Sequence, residues 1–183
     1  MARVKHLAGR QLTMRGRARN RVAASSSRPV FVLEDHIYYL FTQIVGRRNR
    51  HITEKLKPFG VTVPKWRVLA ALHARPATTM NQLSHLTTID RTTLTRTLDW
   101  MVQARLVERR ADQHDRRSVR LMLTARGEEI FGRVLPLVME DNARSIRGIG
   151  PAELAHFRRT LTRIVDNLDR NHDTRGATGG EPG

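Results

Sequence analysis

Apolar residues recur along the chain at two different periods, and the change of period divides it. Leu33, Ile37, Leu40, Phe41, Ile44, Val45, Ile52, Leu56 and Phe59 fall mostly three or four residues apart, which predicts one amphipathic helix. Pro58 and Gly60 predict its end. Pro64 suits the first turn of a second helix carrying Val68, Leu69 and Leu72, which Pro76 closes. A short third helix over residues 80–86 has Leu83 and Leu86 inward, and Asp90 is the predicted N-cap of a fourth over residues 91–104. The period then drops to two. Residues 107–110 and 118–123 predict a two-stranded hairpin around a polar turn, with Val119, Leu121 and Leu123 alternating with Arg120 and Met122. Thr124 caps a predicted fifth helix carrying Ile130, Phe131, Val134, Leu135 and Val138, in which Pro136 predicts a kink. After the break at residues 148–151, Leu154, Phe157, Leu161, Ile164 and Leu168 alternate at spacings of three and four, a seam just over two heptads long.

Two short helices joined by the turn Thr87-Thr88-Ile89-Asp90 make a helix-turn-helix, whose second helix enters a DNA major groove. On its wheel Leu94, Leu98, Met101 and Val102 share one face and anchor the helix. Thr92, Thr93, Arg96 and Gln103 lie opposite. Arg96 has the fork that bridges guanine O6 and N7. The alternative is an ordinary solvated helix face. Trp100 also lies on the outer face, where packing under the hairpin is one reading. The hairpin turn puts Arg116 and Arg117 at the tip of a β-ribbon, suited to a narrow minor groove; the competing reading pairs Asp115 with Arg117 to fix the turn.

Charge sharpens this picture. The 183 residues carry 33 Lys+Arg against 17 Asp+Glu, a formal net charge of +16. Residues 1–28 hold eight cations and no acid, residues 60–126 hold +7, and residues 127–183 sum to −1. Such an excess points to a polyanionic partner. Residues 1–30 read as a basic disordered arm, open to three interpretations: a phosphate-binding tail, a transit peptide, or an over-extended start with Met14 as an alternative. Residues 172–183, rich in glycine, read as a disordered tail.

Several classes are excluded. With no cysteine there is no disulfide framework, thiolate nucleophile or thiol redox switch. No run approaches the roughly 18 apolar residues of a membrane span. Gly148-Ile149-Gly150 lacks the rest of a dinucleotide fingerprint, there is no Walker loop, and the eight histidines are scattered. Asp112 and Asp115 sit in a turn among cations, which argues against a metal pair. No enzyme and no cofactor is expected.

Residues 34–170 resemble the MarR family of winged-helix transcription regulators. The resemblance is most specific in Asp90-Arg91-Thr92-Thr93-Leu94-Thr95-Arg96-Thr97-Leu98-Asp99, then Leu106-Val107-Glu108-Arg109, Asp115-Arg116-Arg117, and Leu123-Thr124 with Gly127. It implies a mainly α fold with a small β-hairpin wing: a winged helix-turn-helix over residues 60–126, flanked by helices in 31–59 and 127–171 that form a dimerisation domain. It implies Thr92, Thr93, Thr95 and Arg96 at the major groove, and Arg116 or Arg117 at the minor groove. Arg105 departs from the family's usual glycine; a left-handed backbone there costs about 1 kcal/mol for Arg, which a phosphate contact offsets. Gln103 joins the candidate DNA contacts.

The resemblance also implies a small aromatic carboxylate or aromatic acyl-CoA effector in a cleft near the dimer interface. Arg48 and His51 lie in or beside the apolar stripe of the first helix, where a cation suits an anionic ligand; an outward or partner-paired Arg48 is the plainer alternative. His36, Tyr39 and Trp66 are further effector candidates. The chain therefore reads as a homodimeric, sequence-specific DNA-binding repressor of the bacterial cytoplasm and nucleoid, acting on a pseudo-palindromic operator. The rival reading is a basic architectural or ribosome-associated nucleic-acid-binding protein with little sequence preference.

Overall fold

The computed structural model describes residues 31–112 and 118–176, with side chains placed up to residue 170. A 3-10 turn, Leu33–Asp35, leads into α1, Ile37–Leu56. A second 3-10 turn, Lys57–Phe59, ends at Gly60, whose φ of 66° is the left-handed cap that Cβ-bearing residues disfavour. Helix α2 spans Val63–Ala74, with Thr62 as N-cap and Pro64 in the first turn. Strand β1, Thr78–Thr79, runs directly into α3, Met80–Thr87. Helix α4 is Arg91–Gln103, β2 is Val107–Ala111 and β3 is Val119–Leu123. Helix α5, Ala125–Ser145, runs continuously through Pro136, and α6 spans Pro151–Gly176.

The sheet has the order β1-β3-β2, all antiparallel, with Thr78 opposite Leu121 and Val107 opposite Leu123. The two-residue β1 was not anticipated, because a strand so short carries no alternation. One core joins the helices to the wing. Ile52 and Leu56 of α1 meet Leu69, Leu83, Leu98 and Val134 there, all fully buried. Phe131 stacks on Trp66 at 5.5 Å and on His73 at 3.9 Å, tying α5 to α2.

The predicted caps form. Asp90 Oδ1 accepts the Thr93 amide at 2.9 Å, and Thr124 Oγ1 accepts that of Gly127 at 3.1 Å. Thr79 and Gln82 add a capping box on α3. Two expectations need correction. Leu86 is not inward: it is 36% exposed on the rim of a cleft, because α3 is only two turns long and buries a narrow face. Helix α6 continues to Gly176, past the expected start of the tail at 172, since the glycines of residues 172–183 lie at 176, 179, 180 and 183.

The outer helices remain largely uncovered within one chain. Ile37, Leu40, Ile44 and Val45 of α1 are exposed, and no described side chain of α6 is buried.

Candidate nucleic-acid interface

Helix α4 divides as its wheel requires. Leu94, Leu98 and Met101 are fully buried and Val102 is partly so, while Thr92, Thr93, Thr95, Arg96 and Gln103 are exposed. Two of the threonine hydroxyls are already committed: Thr95 Oγ1 donates to the Arg91 carbonyl and Thr97 Oγ1 to that of Thr93, each at 2.8 Å. Arg96 has no partner among the described residues, so its five donors remain available. Asp90 fixes the leading end of the helix. The Thr93 amide, first among several bonds, pulls its carboxyl below the ordinary value.

Contacts distant in sequence hold this helix at a set angle. Arg91 Nη1 donates to Asn81 Oδ1 of α3 at 3.2 Å, and Arg109 of β2 pairs with Asp99 of α4 at 2.7 Å. The second pair is half-exposed and adds little stability, but it joins the helix to the wing. Trp100 remains 41% exposed on the outer face. Lys65 Nζ sits 3.0 Å from its ring centroid and donates to the Gly60 carbonyl at 3.1 Å. Burial lowers the Lys65 pKa, while the aromatic face and the carbonyl favour its charged form.

The wing base has its own anchor. Buried Asp112 pairs with Arg120, whose Nη1 also donates to the Ala77 carbonyl at 3.1 Å. Arg120 thereby links β3, the start of the wing turn and the loop after α2. Arg116 and Arg117, with Asp115, lie outside the described residues. Arg105 adopts φ 57°, the left-handed conformation expected of the residue that replaces glycine. It is exposed, as a phosphate contact requires.

The effector candidates separate. Arg48 has a partner within the chain: its Nε and Nη2 both donate to Asn142 Oδ1 of α5, at 3.2 and 3.1 Å. It lines two cavities. One, of about 450 Å³, is shared with Trp66, Arg67 and Arg75; the other, of about 340 Å³, is shared with His51, Arg47 and Arg144. Trp66 is chiefly a core residue, only 8% exposed and stacked on Phe131, so it offers the first cavity little more than an edge. His36 and Tyr39 line neither. His36 lies twelve residues before Arg48, about 18 Å away along α1. Arg67 and Arg75 were missed, because α2 alone does not reveal which of its polar residues turn toward α1.

Among the described residues no acidic or histidine cluster suits a metal, and no helix is long and apolar enough to cross a membrane.

The comparisons with known proteins agree with this geometry. A family model described as the MarR family matches residues 59–118. A MarR-family transcriptional regulator from Silicibacter pomeroyi is 31% identical; the match covers 75% of this chain and 92% of that one, with a TM-score of 0.69. The HTH-type transcriptional repressor IacR of Pseudomonas putida is 25% identical over 139 residues, 76% of this chain and 83% of the repressor. A MarR mutant from E. coli complexed with operator DNA is 25% identical with a TM-score of 0.61, over 68% of this chain and 90% of that one. These relatives are regulators rather than enzymes, and the chain, with its exposed recognition helix and anchored wing, belongs to the MarR family of winged-helix transcriptional regulators.

Proposed function

We propose that this regulator is a homodimeric repressor that reads a pseudo-palindromic operator and is released by a small aromatic carboxylate or aromatic acyl-CoA. The observation that carries the DNA half is Arg96: exposed, unpaired among the described residues, and flanked by Thr92 and Thr93 on a helix whose other face is fully buried. Arg116 or Arg117 enters the adjacent minor groove, and Arg105 and Gln103 meet the backbone. The +7 of residues 60–126 supports this assignment. The arm of residues 1–30 adds non-specific attraction.

The uncovered apolar faces of α1 and α6 support the dimer. Exposed Phe157, Val165 and Leu168 recur along α6, and the C-terminal third is close to neutral. Residues 31–59 and 127–171 supply that interface, leaving 60–126 for DNA. Two recognition helices related by a two-fold axis read half-sites about 10 bp apart. Release is a population shift, requiring the effector to prefer a spacing of the helices that the operator rejects.

In vitro selection from random duplexes yields the operator, and competition against random DNA at fixed salt gives the specificity ratio. Arg96→Ala is expected to lose about 1–3 kcal/mol at one base pair and to relax preference there. A wild-type ratio near unity would move the protein to the architectural reading.

A further inference from the structure

The outer face of the recognition helix changes character halfway along. Its leading half presents Arg91 and Arg96 with three exposed threonines, Thr92, Thr93 and Thr95. After Arg96, α4 has no basic residue, and its one charged side chain, Asp99, is an acid paired with Arg109. The outward stripe runs on instead into Trp100, one turn behind Arg96, and then Gln103. Trp100 lies about 6 Å behind Arg96 along the axis. When the leading residues reach bases on the floor of a groove roughly 12 Å wide, the turns behind them stand against its phosphate walls. A neutral ring matches that position poorly unless a cation is brought to it.

Lys65, from the first turn of α2, is that cation. Its Nζ stands 3.0 Å from the Trp100 ring centroid and donates to the Gly60 carbonyl at 3.1 Å. Gly60, left-handed at φ 66°, closes the turn before α2 and so presents its carbonyl there. The ring and the carbonyl take two of the three ammonium hydrogens and leave one. The side chain is partly exposed, and among the described residues no carboxylate pairs with it. A lysine in solution spreads over many rotamers. One already seated on a ring and a carbonyl meets a phosphate at a smaller ordering cost.

We propose that Lys65, seated on Trp100, is a backbone-positioning residue: its remaining donor meets a DNA phosphate beside the recognition helix and fixes the register of α4 on the duplex without reading bases. This contact rests on the DNA reading above and adds to it a residue from outside the helix-turn-helix and wing. A purely structural tether between α2 and α4 would make the same two contacts within the chain, but it would leave the salt dependence of DNA binding unchanged.

Salt titration of the full chain on its selected operator compares wild type, Lys65→Gln and Lys65→Arg. Lys65→Gln is expected to make the slope of log affinity against log salt shallower by about 0.9 for each protomer bound. It should weaken binding to every single-base operator variant by the same factor, and Lys65→Arg should restore both. Acrylamide quenching gives an independent reading in wild type. Of the two tryptophans, Trp66 is 8% exposed, so Trp100 dominates the quenching. Operator is expected to reduce it, and Trp100→Phe to abolish that change. An unchanged slope in folded Lys65→Gln leaves Lys65 a tether and overturns the proposal, as does quenching that DNA leaves untouched. Weakening confined to one base pair overturns it too, because that is base reading. Should Lys65→Gln fail to fold, the quenching in wild type decides alone. If wild type does not discriminate operator from random duplex, the operator reading falls, yet the same slope comparison on random duplex still decides the role of Lys65.

Discussion

Gly127 and Gly132 lie five residues apart on α5, and replacing each by alanine is expected to change stability in opposite directions. A Cβ on Gly127 would stand 2.1 Å from the Leu106 carbonyl oxygen and 3.3 Å from Leu123 Cβ, whereas one on Gly132 meets nothing within 4 Å. Relief at Gly127 requires α5 and the start of the wing to part by roughly 1 Å, since a carbon–oxygen contact needs about 3.3 Å. That separation stretches both bonds that close this joint: the Thr124 amide to the Leu106 carbonyl at 3.1 Å, and Thr124 Oγ1 to the Arg105 carbonyl at 2.6 Å. Losing two such bonds costs about 2 kcal/mol, and the residual overpacking about 1–2 more. Alanine recovers about 1 kcal/mol of helix propensity at either position. Gly127→Ala should therefore lose about 2–3 kcal/mol and Gly132→Ala gain up to about 1. Urea unfolding of both variants at one pH measures the difference. Equal stability of the two would refute the reading that the close approach of α5 to the start of the wing requires glycine at 127.

Arg105→Gly should stabilise the fold by up to about 1 kcal/mol, because Arg is held at φ 57°, yet weaken DNA binding and shallow its salt slope; a denaturant melt and a salt titration read the two effects separately. Asp90→Asn keeps the cap's acceptor but removes its charge. Because the folded Asp90 pKa is depressed, chiefly by the Thr93 amide, its charge stabilises the fold above the unfolded value of about 3.9. That contribution fades as pH falls through the lower folded value, so the gap between wild type and Asp90→Asn should close in acid; a gap independent of pH would remove the charge from the explanation.

Elements marked by periodicity or by a capping residue were legible in the sequence. Asp90 and Thr124 announced helix starts because a capping side chain bonds within its own first turn, three residues ahead. The two faces of α4 were equally legible, since a helical wheel needs only local spacing. Contacts between elements leave no such trace. Arg120 reaches Ala77 across 43 residues, Arg48 reaches Asn142 across 94, and Lys65 finds Trp100 from another helix. Periodicity says which side of an element is apolar but not which neighbour covers it. For the same reason the apolar stripe of α1 was correct as a pattern yet undetermined as an interface: its C-terminal end, at Ile52 and Leu56, enters the core, while Ile37, Leu40 and Ile44 are exposed. The effector candidates followed the same division. Arg48 was visible as a cation in an apolar stripe, a local anomaly. Arg67 and Arg75 were ordinary polar residues of α2 until α1 and the α3–α4 turn closed around them. A cleft lined from three elements exists only where they meet, so it is the part of such a fold that one-dimensional pattern reads last.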